Sequence, residues 1–300
     1  MITFANLNPP VQDDFDEDDI RKLKVGRKRL ATDWPDVLRK PKAEAQDWAL
    51  TLPFPNTYRN AFETMCDVPV FPYVAATGRL CLYLKGIARE ENPPQEIYEW
   101  IDKVGKFVAI KDLLAISFTL DFEREGGNPE KSQTRVALLR AKAKPYGTQS
   151  ATKTTTKAAD ELVDRCVDFL KEMSCYESAN SVVAAPPSDP NKQYNLPRYL
   201  AEKIAAKWER TDLSEHVRTI KARGSIKSTA VANKLDALLG TIEVDADVFH
   251  KRNVLLIDDL YQSGITMNYC GLMLLQAGAR KIFGLACEKT CRNDDNVGGR

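Results

Sequence analysis

No apolar run in the chain approaches the roughly 20 residues that span a bilayer. The amino terminus, MITFANLNPPVQDDFDEDD, lacks the basic start and apolar stretch of a signal peptide. The 7 cysteines are scattered, at 66, 81, 166, 175, 270, 287 and 291, and no two are separated by two residues, so no structural zinc is expected. Unpaired cysteines without a leader fit a reducing cytoplasm. Only 2 histidines occur, His216 and His250, and both read as surface residues rather than catalysts. No phosphate-binding G-x-x-x-x-G-K-[ST] is present: the nearest stretch, Gly224–Thr229 (GSIKST), lacks the glycine before the lysine. Net charge is +1, which gives no global case for nucleic acid. With 43% hydrophobic and 28% charged residues among 300, the composition is that of an ordinary globular protein of one large or two moderate domains.

Against these absences stands Asn253–Met267, NVLLIDDLYQSGITM. Val254–Ile257 is a continuous apolar run bounded by turn signals, which suits a central parallel strand covered on both faces. Two acids follow, Asp258 and Asp259, then a polar turn, Gln262-Ser263-Gly264, and a helix from about Thr266. Carboxylates at the carboxyl end of such a strand sit where open α/β sheets bind ligands. The N–H groups of the turn, at a helix start, form a ready anion site. Acids beside a phosphate cradle point to a phosphorylated sugar. Other settings fit less well. A receiver domain needs a whole doubly wound domain downstream, and only Leu260–Arg300 follows. The plain alternative is a core strand whose acids cap the next helix.

Val254–Thr266 resembles the phosphoribosyl pyrophosphate (PRPP) motif of type I phosphoribosyltransferases: four apolar residues, two acids, an apolar residue, a variable one, two small hydroxyl residues, glycine, a small residue and threonine. The chain departs from it at Gln262-Ser263, where the family usually has two threonines, and at the bulkier Ile265. Within the family the likeness is to the ComF-like group. The strand Ser181–Ala185 enters a proline loop (Pro186-Pro187-Ser188-Asp189) ahead of a helix over Leu196–Lys207, and Cys287–Asn296 (CEKTCRNDDN) resembles the tail of such proteins. The paired CxxC ligands with which many of them begin are missing.

The periodicity predicts further helices over Ala158–Lys171 and Met267–Ala277 and a strand over Lys281–Ala286. Strands alternating with helices imply an α/β fold with a parallel, doubly wound sheet. The resemblance covers residues 116–300 and leaves 1–115 as an α-rich or mixed N-terminal region of unknown role. Ala115–Phe122, Glu125–Asn128 and Thr134–Leu139 read as a hairpin suited to a hood over the acceptor. Two readings of the basic run Ile20–Leu30 stay open: a nucleic-acid contact, or a solvated helix face beside the acidic Asp13–Asp19.

The resemblance implies an enzyme that binds PRPP with Mg2+ and transfers phosphoribose to a nitrogenous small-molecule acceptor. Asp258 and Asp259 would face the ribose hydroxyls, directly or through magnesium-bound water. Gln262, Ser263, Gly264, Ile265 and Thr266 would hold the 5′-phosphate, and the loop with Pro187 and Ser188 the pyrophosphate. A basic segment between Glu209 and Ser228, hinged at Gly224, would close over the substrate, with Lys221 and Arg223 contacting pyrophosphate. The resemblance also allows a homodimer. The alternative is a non-catalytic PRPP or nucleotide sensor, or a protein of DNA processing or uptake, on the same fold.

Overall fold

The computed structural model describes residues 10–30, 32–41, 47–88, 90–145, 151–192, 194–222 and 231–292. The first elements are α1 (Glu17–Lys22), β1 (Gly26–Lys28), β2 (Leu38–Arg39), β3 (Ala49–Leu52), α2 (Thr57–Met65), β4 (Val70–Val74), β5 (Leu80–Leu84), α3 (Gln95–Gly105) and β6 (Val108–Lys111). Then come β7 (Ile116–Phe122), α4 (Arg135–Lys142), α5 (Lys153–Glu172), β8 (Ser181–Ala184), α6 (Leu196–Lys207), β9 (Thr211–Asp212) and β10 (Val217–Thr219). The described chain closes with α7 (Val231–Lys234), β11 (Ile242–Val244), α8 (Ala246–Phe249), β12 (Asn253–Tyr261), α9 (Ile265–Gln276) and β13 (Lys281–Lys289).

Among the described residues the central sheet has seven strands in the order β1-β6-β7-β13-β12-β8-β9. β7, β13, β12, β8 and β9 run parallel, whereas β6 and β1 are antiparallel additions at one edge. This is the α/β architecture with a mostly parallel sheet that the alternation of elements predicts. A separate antiparallel sheet, β2-β3-β5-β4, is built from the first 84 residues.

Both faces of the parallel strands are covered, which is why they read as unbroken apolar runs. Leu255 and Ile257 of β12 join a cluster with Leu162, Val163 and Cys166 of α5 and Leu200 and Ile204 of α6. Val254 and Leu256, on the other face, join Met267, Leu272 and Leu274 of α9 and Ile20 of α1. The α5-side cluster continues without a break into Leu50, Leu52, Phe62, Leu82 and Trp100 of the N-terminal region. β1 and β6, both before residue 116, are hydrogen-bonded members of the central sheet.

The sequence-based hairpin after Phe122 is corrected: residues 135–142 form α4. Thr134 decides it. Its hydroxyl donates to the Phe122 carbonyl (2.6 Å) and accepts from Ala137 N–H (3.3 Å), an N-cap that starts a helix. Buried Val136, Leu139 and Ala143 then recur at helical spacing. No helix among the described residues is long and apolar enough to cross a membrane.

Candidate active site at the carboxyl end of the parallel strands

Pairing between β8 and β12 stops at Ala184 and Ile257, but β12 runs on to Tyr261, held by β13 alone (Leu260 opposite Glu288, Tyr261 opposite Lys289). The strand therefore continues through the acidic pair instead of ending before it. This overhang opens a cavity of about 350 Å³ at the carboxyl ends of the strands. The Pro186–Ser188 loop, Asp258, Asp259, Gln262, Ser263, Gly264 and Thr266 all line it, so the structure brings these predicted residues together. Ile265 is buried in the core and offers only its backbone. Lys221 is exposed and outside the lining, while Arg223 and Gly224 lie outside the described residues.

The two acids differ sharply. Asp259 shares the α5-side face of β12, where α4 delivers Arg140: Nε meets its Oδ2 at 2.5 Å, and Lys144 also pairs with that oxygen. Arg140 bridges on to Glu288 of β13 at 2.7 Å. Burial pushes the Asp259 pKa up, but the two cations outweigh it and hold the group below the ordinary carboxylate value. Asp258 has no cation at hydrogen-bonding range among the described side chains; its Oδ1 accepts the Asp259 N–H at 2.7 Å. Burial, then the charge of Asp259, pushes its pKa up to about 7.

The turn is fixed from behind. Gly264 sits at φ +79°, in the left-handed region, and a Cβ there would lie 2.9 Å from ring carbons of Tyr261. Glycine is thus demanded by the backbone and by the tyrosine beneath it. The Gly264 carbonyl accepts from Asn268 Nδ2 (2.8 Å), and the Gln262 carbonyl from the buried Lys289 ammonium (2.9 Å). α9 starts at Ile265 with no side-chain cap, so its first-turn N–H groups emerge at the cavity end of the helix. The facing loop is tied by Thr219 Oγ1, which donates to the Pro187 carbonyl at 2.5 Å.

Sequence reasoning missed four cations in the lining: Arg140, Lys144, Lys192 and Lys234. Arg140 and Lys144 lie just beyond the segment Thr134–Leu139 that reads as a hairpin strand, and α4 turns Arg140 toward the cavity. Lys234 left a faint signal, a lysine beside the apolar residues Leu235, Leu238 and Leu239; it is 1% exposed, and desolvation lowers its pKa to about 8. The three arginines of the basic N-terminal run are engaged within the molecule: Arg21 pairs with Asp236 (2.6 Å), Arg29 with Asp121 (2.6 Å), and Arg27 donates to the Cys291 carbonyl.

Neither a protein-family profile nor a characterised protein sequence matches the chain. Solved structures overlap it in part. An adenine phosphoribosyltransferase from Thermoanaerobacter pseudethanolicus is 16% identical over 45% of this chain and 81% of its own, with a TM-score of 0.29. A Trypanosoma cruzi hypoxanthine phosphoribosyl transferase is 12% identical over 57% and 74%, also at 0.29. A hypothetical protein from Neisseria gonorrhoeae with bound ppGpp is 12% identical over 44% and 68%, at 0.30. At these identities and scores the likenesses carry no functional argument, which rests on the site.

Proposed function

We propose that this chain is a phosphoribosyltransferase-like protein that binds PRPP with Mg2+ and transfers phosphoribose to a nitrogenous acceptor. One observation carries the reading. A half-buried carboxylate, Asp258, and the uncapped start of α9 line a single cavity at the carboxyl ends of parallel strands, together with four cations. A ligand that suits all three carries a diol, a phosphate and a diphosphate.

In this reading the turn Gln262–Thr266 holds the 5′-phosphate through backbone N–H groups and the hydroxyls of Ser263 and Thr266. Asp258 takes the ribose hydroxyls. The loop with Pro187 and Ser188 holds the diphosphate, with Lys192 and Lys234 of the same lining as its cations; the resemblance assigns Lys221 and Arg223 to that diphosphate as well. As the anomeric C–O bond breaks, positive charge grows on the ribose ring and negative charge on the departing diphosphate. Asp258 opposes the first, while the cations and backbone donors stabilise the second. A wall of apolar and proline side chains, Ala185, Pro186, Pro197 and Met267, limits water at the reacting carbon.

The residues fit magnesium in one form. Among the described residues no group of three or more acidic, histidine or cysteine side chains could cage a metal. Magnesium is typically held by one or two carboxylates plus substrate phosphates, and Asp258 meets that need once diphosphate is present. Bound there, it would neutralise charge on the diphosphate. Asp259, the second ligand implied by the motif, is committed to Arg140 and Lys144.

That commitment favours a second reading, a non-catalytic sensor of PRPP or a related nucleotide. Within the sequence resemblance, the ComF-like group accommodates either. Calorimetric titration with PRPP, with and without Mg2+, tests binding, and pyrophosphate release across a panel of bases separates the readings. Magnesium-dependent saturation with turnover supports the enzyme; saturation without turnover supports the sensor; no saturation by a folded protein removes both.

A further inference from the structure

Behind the turn lies a chain of buried polar groups that reaches into the N-terminal segment. Tyr261, 1% exposed, donates its hydroxyl to Asp112 Oδ2 at 2.8 Å. The same hydroxyl accepts from Asn268 Nδ2 at 3.3 Å, and that amide also donates to the Gly264 carbonyl at 2.8 Å. Asn268 Oδ1 accepts the Leu113 N–H at 2.9 Å, and Asp112 Oδ1 the Leu114 N–H at 3.1 Å. Asp112 and Leu113 directly follow β6, and Asp112 and Asn268 are 3% and 0% exposed. Every oxygen of the Asp112 carboxylate thus accepts from a donor that has no water to turn to. Burial raises its pKa to about 6, which marks the cost of keeping a charge here.

A buried acid costs stability that an apolar side chain of similar volume would not. What the acid obtains is orientation. It fixes the rotor of the Tyr261 hydroxyl, which leaves one lone pair for Asn268, which in turn points its second hydrogen at Gly264. Gly264 is the residue whose left-handed backbone begins α9 and whose missing Cβ admits the Tyr261 ring. The direction of the first-turn N–H groups is therefore set three hydrogen bonds away.

We propose that Asp112 is a positioning residue for the anion-binding turn, acting through Tyr261 and Asn268, so that the segment just after β6 belongs to the binding machinery. The proposal rests on the reading of the turn as the 5′-phosphate site. It distinguishes the turn from the Pro186–Ser188 loop, which the network does not touch.

The test measures two ligands on one set of proteins. Ribose 5-phosphate reports on the turn and inorganic pyrophosphate with Mg2+ on the loop, each titrated calorimetrically alongside thermal melts. Wild type, Asp112→Asn, Tyr261→Phe and the double variant Asp112→Asn/Tyr261→Phe are compared. Tyr261→Phe keeps the ring under Gly264 but strips the buried Asp112 Oδ2 of its donor, so it loses stability and about tenfold in ribose 5-phosphate affinity. The double variant removes the charge and regains most of the melting temperature, yet its ribose 5-phosphate affinity stays low. Asp112→Asn, which keeps an acceptor oxygen, falls between wild type and Tyr261→Phe. Pyrophosphate affinity stays level across the set. Ribose 5-phosphate affinity that follows melting temperature, or pyrophosphate affinity that falls in step with it, reduces Asp112 to a structural residue and overturns the proposal while leaving the functional reading intact. Wild-type protein that binds neither ligand removes that reading, and this proposal with it.

Discussion

The parallel and antiparallel parts of the central sheet divide the work differently. β8, β12 and β13 are apolar through the middle of their paired lengths, Val182–Ala184, Val254–Ile257 and Ile282–Ala286, and deliver carboxylates, the turn and the proline loop to one edge. β6 and β1, the antiparallel additions, line no part of the cavity, yet the residues directly after β6 hold the turn from beneath. The cavity-lining groups sit at the ends of the parallel strands, and part of their support comes from residues that follow an antiparallel one. Strand direction explains the split: parallel strands all release their loops on one side of the sheet, whereas an antiparallel neighbour ends on the opposite side or passes behind.

The largest expected effect falls on the clamp that joins α4 to both β12 and β13. Arg140→Ala leaves the buried Asp259 and Glu288 without their shared cation and should cost about 3–5 kcal/mol in urea denaturation. A loss below 1 kcal/mol would mean that Lys144 suffices.

Somewhat smaller effects ask whether the two parts form one cooperative unit. Leu82→Ala in β5 and Leu256→Ala in β12, both 0% exposed, should each cost about 2–5 kcal/mol. In a Trp208→Phe background, Trp34, Trp48 and Trp100 report on the N-terminal region by fluorescence, and far-ultraviolet dichroism reports on the whole. The apolar cluster is continuous, so the two signals should unfold at one denaturant concentration. Two separated midpoints would divide the molecule where the packing does not.

Asp258 gives a pH-dependent comparison. Its folded pKa is raised from 3.8 to about 7, so the folded state prefers the protonated acid. Its favourable contribution is complete below about pH 4 and is lost as pH rises through 7. Asp258→Asn should therefore be more stable than wild type at pH 8, by about 4 kcal/mol at most, and nearly equal to it at pH 4. The same variant should not bind PRPP. Melting curves at both pH values check the first statement, and an equal gap at the two would refute it.

The smallest effect belongs to the separate N-terminal sheet. Phe71, on edge strand β4, is 59% exposed, and Phe71→Ser should change stability by less than about 0.5 kcal/mol. A larger loss in urea titration would show that the exposed face is covered in solution.

Much of the parallel part was legible because its signals are local. Leu196–Lys207 is helical over the residues its spacing predicts, starting at the Asn195 cap with Pro197 in the first turn. Val254–Ile257 announced itself as a strand by an apolar run followed by acids, and the structure extends that strand to Tyr261. What stayed hidden is non-local. Arg140 meets Asp259 across 119 positions, and nothing in the residues between them records the pairing. Tyr261 and Asp112 are 149 apart. The hairpin expected after Phe122 failed for a different reason: Thr134–Leu139 is short and β-branched at two positions, and the cap that makes it a helix depends on the Phe122 carbonyl brought near by folding. The resemblance explains Gly264 by phosphate binding, whereas the left-handed backbone and the Tyr261 ring require glycine there in any case.

The position of β13 bears on how the chain reaches this state. It is the last strand of the described residues, yet it lies between β7 and β12, with Ile116 opposite Phe283 on one side and Asn253 opposite Lys281 on the other. Until it inserts, two apolar strand edges face each other across a gap, each able to recruit a strand from another molecule. Sheet closure is thus a late, long-range event whose competitor is intermolecular, and refolding yield should fall as protein concentration rises.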